Sequence, residues 1–244
     1  MSRGVRDVSL NVVILAAGMG TRLGRPHPKP LTPLADGRSI QRQQLDHIEA
    51  AFGDDAFVTV VVGFKKDLIM EESGARASFV YNEEYDQTNT SKSLLKALRL
   101  SPPGGVLWLN GDVVFVPGLF DALRPAIDED RSFVAVNTES VADEEVKYTL
   151  DDAGYIAELS KKVVGGLGEA VGINYVAAAD KPALIEHLGL VDDQEYFEGG
   201  IEGAIRNAGL RFSAIDISAY GCVEVDFEPD LSRANELDST EPGR

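Results

Sequence analysis

At 244 residues, 44% of them hydrophobic and 26% charged, the chain has the make-up of a globular protein with a sizeable core and not of a disordered segment. Its 40 Asp and Glu against 23 Lys and Arg give a formal net charge of −17, which excludes nucleic acid and anionic membrane as partners of the general surface. One cysteine, Cys222, and three scattered histidines, His27, His47 and His187, exclude an intrachain disulfide and a Cys/His zinc centre. No stretch approaches the ~20 apolar residues of a membrane span, and the early apolar run is too short for a secretory signal. The expected setting is cytoplasmic.

Val12 to Ala17 is a continuous apolar run, the pattern of a strand buried on both faces. It breaks into a glycine turn. A helix is expected from Ser39, a natural N-cap, to a stop at Gly53, followed by a buried strand over Phe57 to Gly63. A short helix, a strand from Ser78 to Asn82, a helix from about Ser91 and a strand ending near Asn110 come next. Alternation of strands and helices implies a parallel sheet with crossover connections. After a helix over Pro117 to Ile127 the pattern changes: "KYTLDDAGYIAELSK" reads as a hairpin around Asp151 to Gly154. A strand "GINYVAA", a helix over Pro182 to Leu188, a helix over "EYFEGGIEGAIRNAG", a strand "FSAIDIS" and a closing helix "EPDLSRANEL" complete the chain. No repeat or linker divides it. The expectation is one domain, with a nucleotide-binding half over about 10–140, an acceptor-binding half over about 141–237 and a frayed tail over 238–244.

The segment "VVILAAGMGTRLGRPHPKPL" carries Arg22, Arg25 and Lys29, with no acid from Ser9 to Ala35. A strand, a glycine turn and local positive charge in an acidic chain suggest phosphate binding. The dinucleotide fingerprint fails, because Leu23 stands where it needs glycine, and a Walker A loop fails for want of Gly-Lys-Ser/Thr. The segment resembles instead the signature of nucleotidylyltransferases, LAAG-x-G-T-R-L followed by Pro-Lys-Pro. Here that is Leu15, Ala16, Ala17, Gly18, Gly20, Thr21, Arg22 and Leu23, then Pro28, Lys29 and Pro30. The resemblance implies a Rossmann-like α/β fold with a mostly parallel central sheet, helices on both faces and a mixed second half. It makes Arg22 and Lys29 catalytic and places the nucleotide on Leu15, Ala16, Ala17, Gly18, Gly20 and Thr21. Arg25 is either a third phosphate contact or surface charge.

"LNGD" sets Asp112 just past the C-terminal end of a strand, the edge where open α/β sheets bind ligands. "VEVDFEPDL" sets Glu224 and Asp226 two apart, on one face if extended. The resemblance implies that Asp112, Glu224 and Asp226 together hold Mg²⁺ and adds Gly111 to the nucleotide site; Asp230 either matches a further acidic position of the family or favours the helix N-terminus, and is left out of the metal set. "YDQTNTSKSLLKAL" resembles the Thr-Asn-x-x-x-Ser-Leu segment of the smaller phosphocholine and phosphonate cytidylyltransferases, which implies that Asn89 and Ser93 read the nucleotide. "IAELSKKVVGGLGEAVGINYV" resembles the same subgroup's hairpin, which assigns Lys161, Glu169 and Asn174 to the acceptor, with Lys162 as the alternative to Lys161. Cys222 stands where the subgroup has tryptophan, which removes a cation–π partner for a quaternary ammonium. Tyr81, Tyr85, Tyr196 and Phe197 are candidate replacements.

The expected function is therefore Mg²⁺-dependent transfer of CMP from CTP to a small phosphorylated or phosphonate acceptor, with pyrophosphate released. The expected partners are CTP, or another nucleoside triphosphate, and that acceptor; no nucleic acid and no membrane are expected, and a homodimer is compatible with the sequence. The rivals are a sugar- or cyclitol-1-phosphate nucleotidylyltransferase using UTP or another triphosphate, and an inactive nucleotide-binding regulatory subunit.

Overall fold

The apolar run at the start becomes strand β1 (Leu10–Ala16), with every residue buried. Its neighbours point alternately to two cores, as a strand requires. Val12, Ile14 and Ala16 join one hydrophobic cluster and Val13 and Leu15 the other. The computed structural model describes residues 10–20, 24–139, 141 and 145–239. Thr21, Arg22 and Leu23 of the signature lie outside the described residues, as do Ser140, 142–144 and 240–244.

Strands β2 (Ala56–Val62), β3 (Ser78–Tyr81) and β4 (Val106–Asn110) run parallel to β1 in the order β4-β1-β2-β3. Helices α1 (Ile40–Phe52), α2 (Lys66–Ser73) and α4 (Leu119–Asp128) pack on one face through Leu45, Ile48, Ile69 and Leu119. Helices α3 (Thr90–Leu100), α5 (Lys181–Leu190) and α6 (Phe197–Ala208) cover the other through Leu94, Leu98, Leu184 and Ile201. Ser39 caps α1 by accepting from the Arg42 amide at 3.0 Å, and Gly53, at φ 54°, ends it, as its sequence predicts.

The second half is mixed. Strand β9 (Glu169–Val176) inserts antiparallel between β4 and β6 (Phe133–Asn137), and β10 (Ser213–Asp216) extends the sheet parallel to β6. The expected hairpin is β7 (Lys147–Leu150) and β8 (Ile156–Ser160); Asp151 holds its turn by accepting from the amides of Ala153 and Tyr155. Four of the six pairings along the main sheet are parallel, so the architecture is α/β with a mostly parallel centre. Three short strands exceed what the sequence pattern marks: β5 (Val113–Phe115), β6 and β11 (Cys222–Glu224). β5 and β11 form a separate antiparallel pair with Val113 opposite Glu224. The closing helix, α7 (Glu228–Ser239), reaches past Asp238, where a frayed tail is expected.

Gln44, buried on α1, ties this framework to the site. Its Nε2 donates to the carbonyls of Asn110 (2.9 Å) and Val113 (2.7 Å), on either side of the Gly111-Asp112 turn. Gln44→Leu strips both carbonyls of a buried donor, at a cost of about 1–3 kcal/mol. The expected result is a melting temperature lower by roughly 3–10 °C in a thermal denaturation; an unchanged midpoint would show that the turn holds itself.

Candidate active site

A cleft of about 730 Å³ opens at the C-terminal edge of the parallel strands. One side is the start of the chain. Leu15 pairs with Asn110 across β1 and β4, and the Gly111 amide donates to the Leu15 carbonyl at 2.9 Å, so the glycine turn and the Asp112 turn lie together. Gly111 must be glycine here, since a Cβ would stand 2.7 Å from that carbonyl. Leu15, Ala16, Gly18, Gly20 and Gly111 line the cleft. Ala17 does not: it is buried in the core and its carbonyl accepts from Phe64.

Lys29 begins a short 3-10 turn set by Pro28 and Pro30, whose fixed φ holds the segment against the sheet edge. Its ammonium donates to Asp112 Oδ2 at 2.8 Å and to Asp226 Oδ1, with the side chain only 11% exposed. Burial opposes its charge, but the two carboxylates win and hold its pKa well above the usual lysine range. Asp226 gets there by tertiary structure. β11 pairs with β5, the Val225 amide donates to the Asp112 carbonyl at 2.9 Å, and Glu224 and Asp226 are carried beside Asp112. Asp112, Glu224 and Asp226 bring carboxylate oxygens within 4.8 Å of one another. Burial, then Asp112 and Asp226, push the Glu224 carboxyl well above its usual range, while Lys29 opposes. Three carboxylates around one ammonium leave an excess of negative charge, and an all-oxygen donor set of this kind fits a hard divalent cation.

Asp230 accepts from the amides of Asp226 and Phe227 and so organises the start of α7, the second of its two readings. Arg25 resolves to the surface: it donates to Glu228 at 2.7 Å and is not part of the cleft wall.

Across the cleft, Asn89 lines the wall and also caps α3, accepting from the Thr90 amide at 2.8 Å. Ser93 is not at the wall. It is buried behind it, accepting from Asn82 Nδ2 at 3.0 Å, because one turn into α3 its side chain faces the core. Lys161 and Glu169 line the cleft. Lys161 and Lys162 follow β8 in a turn, so strand alternation does not separate them; Lys161 lies over the Tyr196 ring at 4.9 Å from its centroid. Asn174 is also displaced from its expected place. It is 1% exposed in mid-β9, with its amide placed to accept the Trp108 indole N–H at 3.3 Å, while Gly172 takes the cleft position. Tyr196 and Phe197 line the cleft; Tyr81 and Tyr85 do not. Cys222 lines the cleft, and burial and Glu224 push its thiol above the usual range.

Thr90, Glu145, Glu198, Phe227 and Arg233 also line the cleft without a sequence signal. For Glu198 the only cue is an acid next to the apolar face of α6, and acids at helix starts are common for other reasons.

Comparisons with known proteins agree with this fold. CMP-5'-(3-aminopropyl)phosphonate synthase of Streptomyces rubellomurinus is 28% identical over 93% of this chain, which spans 38% of that relative's length. Bifunctional protein GlmU of Francisella philomiragia is 35% identical over 45% of the chain, covering 23% of the relative. Among solved structures, the inositol-1-phosphate CTP transferase of T. maritima aligns over 96% of this chain and 99% of its own with a TM-score of 0.75 at 15% identity. CTP:phosphocholine cytidylyltransferase of Streptococcus pneumoniae aligns over 94% and 99% with a TM-score of 0.73 at 18% identity. The MobA-like NTP transferase domain profile matches residues 12–186, from β1 into α5, and the chain belongs to that family of nucleotidyltransferases.

Proposed function

We propose that the protein transfers CMP from CTP to a small phosphorylated or phosphonate acceptor and releases pyrophosphate. The observation that carries this reading is Lys29 held between Asp112 and Asp226 beside the glycine turn. The match along most of the chain to a CMP-phosphonate synthase supports the choice of nucleotide and acceptor class.

The acceptor's phosphate or phosphonate oxygen attacks the α-phosphorus of CTP, and the bond from that phosphorus to the pyrophosphate oxygen breaks. The nucleophile is already an anion, a phosphate monoester having a second pKa of about 6, so no side-chain base is needed. Backbone amides of the glycine turn approach the triphosphate, and Lys29 and Arg22 neutralise charge on it as pyrophosphate leaves. Asp112, Glu224 and Asp226 are the residues that would hold Mg²⁺. Bound there, the ion supplies Lewis-acid neutralisation of phosphate oxygens. Lys161 meets the acceptor's anionic group and Asn89 orients the nucleotide.

The test is a screen of four nucleoside triphosphates against aminoalkylphosphonates, phosphocholine, inositol 1-phosphate and hexose 1-phosphates, read by pyrophosphate release. The expected best pair is CTP with a small phosphonate, ahead of phosphocholine. A preference for a sugar or cyclitol 1-phosphate with UTP would favour the second reading. No turnover with any pair would favour the regulatory subunit. In the active enzyme, Lys161→Ala is expected to raise the acceptor's KM by roughly tenfold or more, the scale of a lost hydrogen bond to a charged group, with CTP binding measured alone nearly unchanged. Equal losses for both substrates would show that Lys161 is structural.

A further inference from the structure

The acceptor wall holds a buried acidic group to which the reaction above gives no role. Glu198, in the first turn of α6, is 7% exposed and lines the cleft. Among the described residues its Oε2 has no hydrogen-bond partner. A buried carboxylate oxygen left unpaired is costly, so the group needs an occupant of the cleft or a structural reason. The helix end offers only half a reason, since its own backbone amide serves the carboxylate but leaves Oε2 bare. One turn along the helix Glu202 is satisfied, accepting from the Leu159 amide and pairing with Arg206. Lys161 is near enough to favour the Glu198 anion but forms no ion pair with it, lying over Tyr196 instead. Burial, and then the neighbouring Glu195 and Glu145, outweigh that help and push the Glu198 carboxyl up to about 7.

Lys161 and Glu198 both line this wall, and an acceptor with one anionic and one cationic end answers both. Oε2 lacks a hydrogen-bond donor, and a primary ammonium brings N–H groups that a trimethylammonium does not have.

We propose that Glu198 is the specificity-determining residue for a primary ammonium group on the acceptor, so that the acceptor is an aminoalkylphosphonate with its phosphonate toward Lys161 and its ammonium on Glu198. This rests on the reading that the protein transfers a nucleotide to a phosphonate.

The experiment compares 3-aminopropylphosphonate with n-propylphosphonate, which differ only in the amine, using the full chain and CTP. The wild type is expected to favour the amine, and E198Q to reduce the ratio of the two kcat/KM values by roughly 30-fold, the scale of a hydrogen bond to a charged group. The loss should fall on the acceptor's KM, with the KM for CTP unchanged. E198D, which keeps the charge, should retain more of the ratio than E198Q and carries the test if the glutamine variant does not fold. A ratio unchanged within threefold in both variants, or a wild type that favours n-propylphosphonate, overturns the assignment while leaving phosphonate transfer intact. If both acceptors lose equally in E198Q, Glu198 merely positions Lys161 and the assignment falls. Failure of the wild type to use any phosphonate removes the underlying reading and this one with it.

Discussion

Lys29→Ala is expected to lower turnover by ~10²–10³, the scale of losing one preorganised electrostatic stabiliser, while the circular dichroism spectrum stays native. The polar partners of the lysine are Asp112 and Asp226, both at the cleft. Its role is therefore read in rate more than in folding. A second readout moves the other way. Removing the ammonium deepens the negative potential at three clustered carboxylates, so binding of Mg²⁺ or Mn²⁺ measured without nucleotide should tighten or hold. The pKa of Lys29 is raised above its ordinary 10.5. Its favourable interaction is thus complete below about pH 10 and is lost only as pH rises toward the folded-state value. Between pH 6 and 9 the rate should carry no inflection from this residue. Near-wild-type turnover in Lys29→Ala would show that the lysine serves the acidic cluster and not the phosphates.

The other large effect is expected at the carboxylates. Enzyme stripped with EDTA should lose activity and regain it with Mg²⁺, and neither Asp112→Asn nor Asp226→Asn should be rescued to within ~10² of wild type, because an amide is a poor ligand for a hard cation. The two residues are 114 positions apart in sequence, yet both accept from the Lys29 ammonium. Their variants should therefore resemble one another more than either resembles a variant of Asp230, whose carboxylate is spent on the backbone of Asp226 and Phe227. Full activity of Asp226→Asn at limiting Mg²⁺ would remove it from the metal set.

The first strand, the glycine turn, Pro-Lys-Pro and the alternation of strands and helices were legible from residues alone, because each is a local pattern. An apolar run buried on both faces reads the same wherever it lies, and β1 is buried throughout. The caps of α1 and the Asp151 turn are equally local, since the partner atoms lie within four residues. The convergence of Asp112 with Glu224 and Asp226 had only the family resemblance to suggest it. What achieves it is the pairing of two three-residue strands, β5 and β11, too short to carry a period of their own. Side-chain direction was equally out of reach. Ser93 and Asn174 sit one turn or one register from where they would meet the cleft, and packing against Asn82 and Trp108 turns them inward. Glu198 differs from Glu202 by a single helical turn, and nothing in the local sequence tells which will be buried without a partner. That depends on where α3 and β8 close around α6, contacts made across long separations in the chain, and only the tertiary structure decides them.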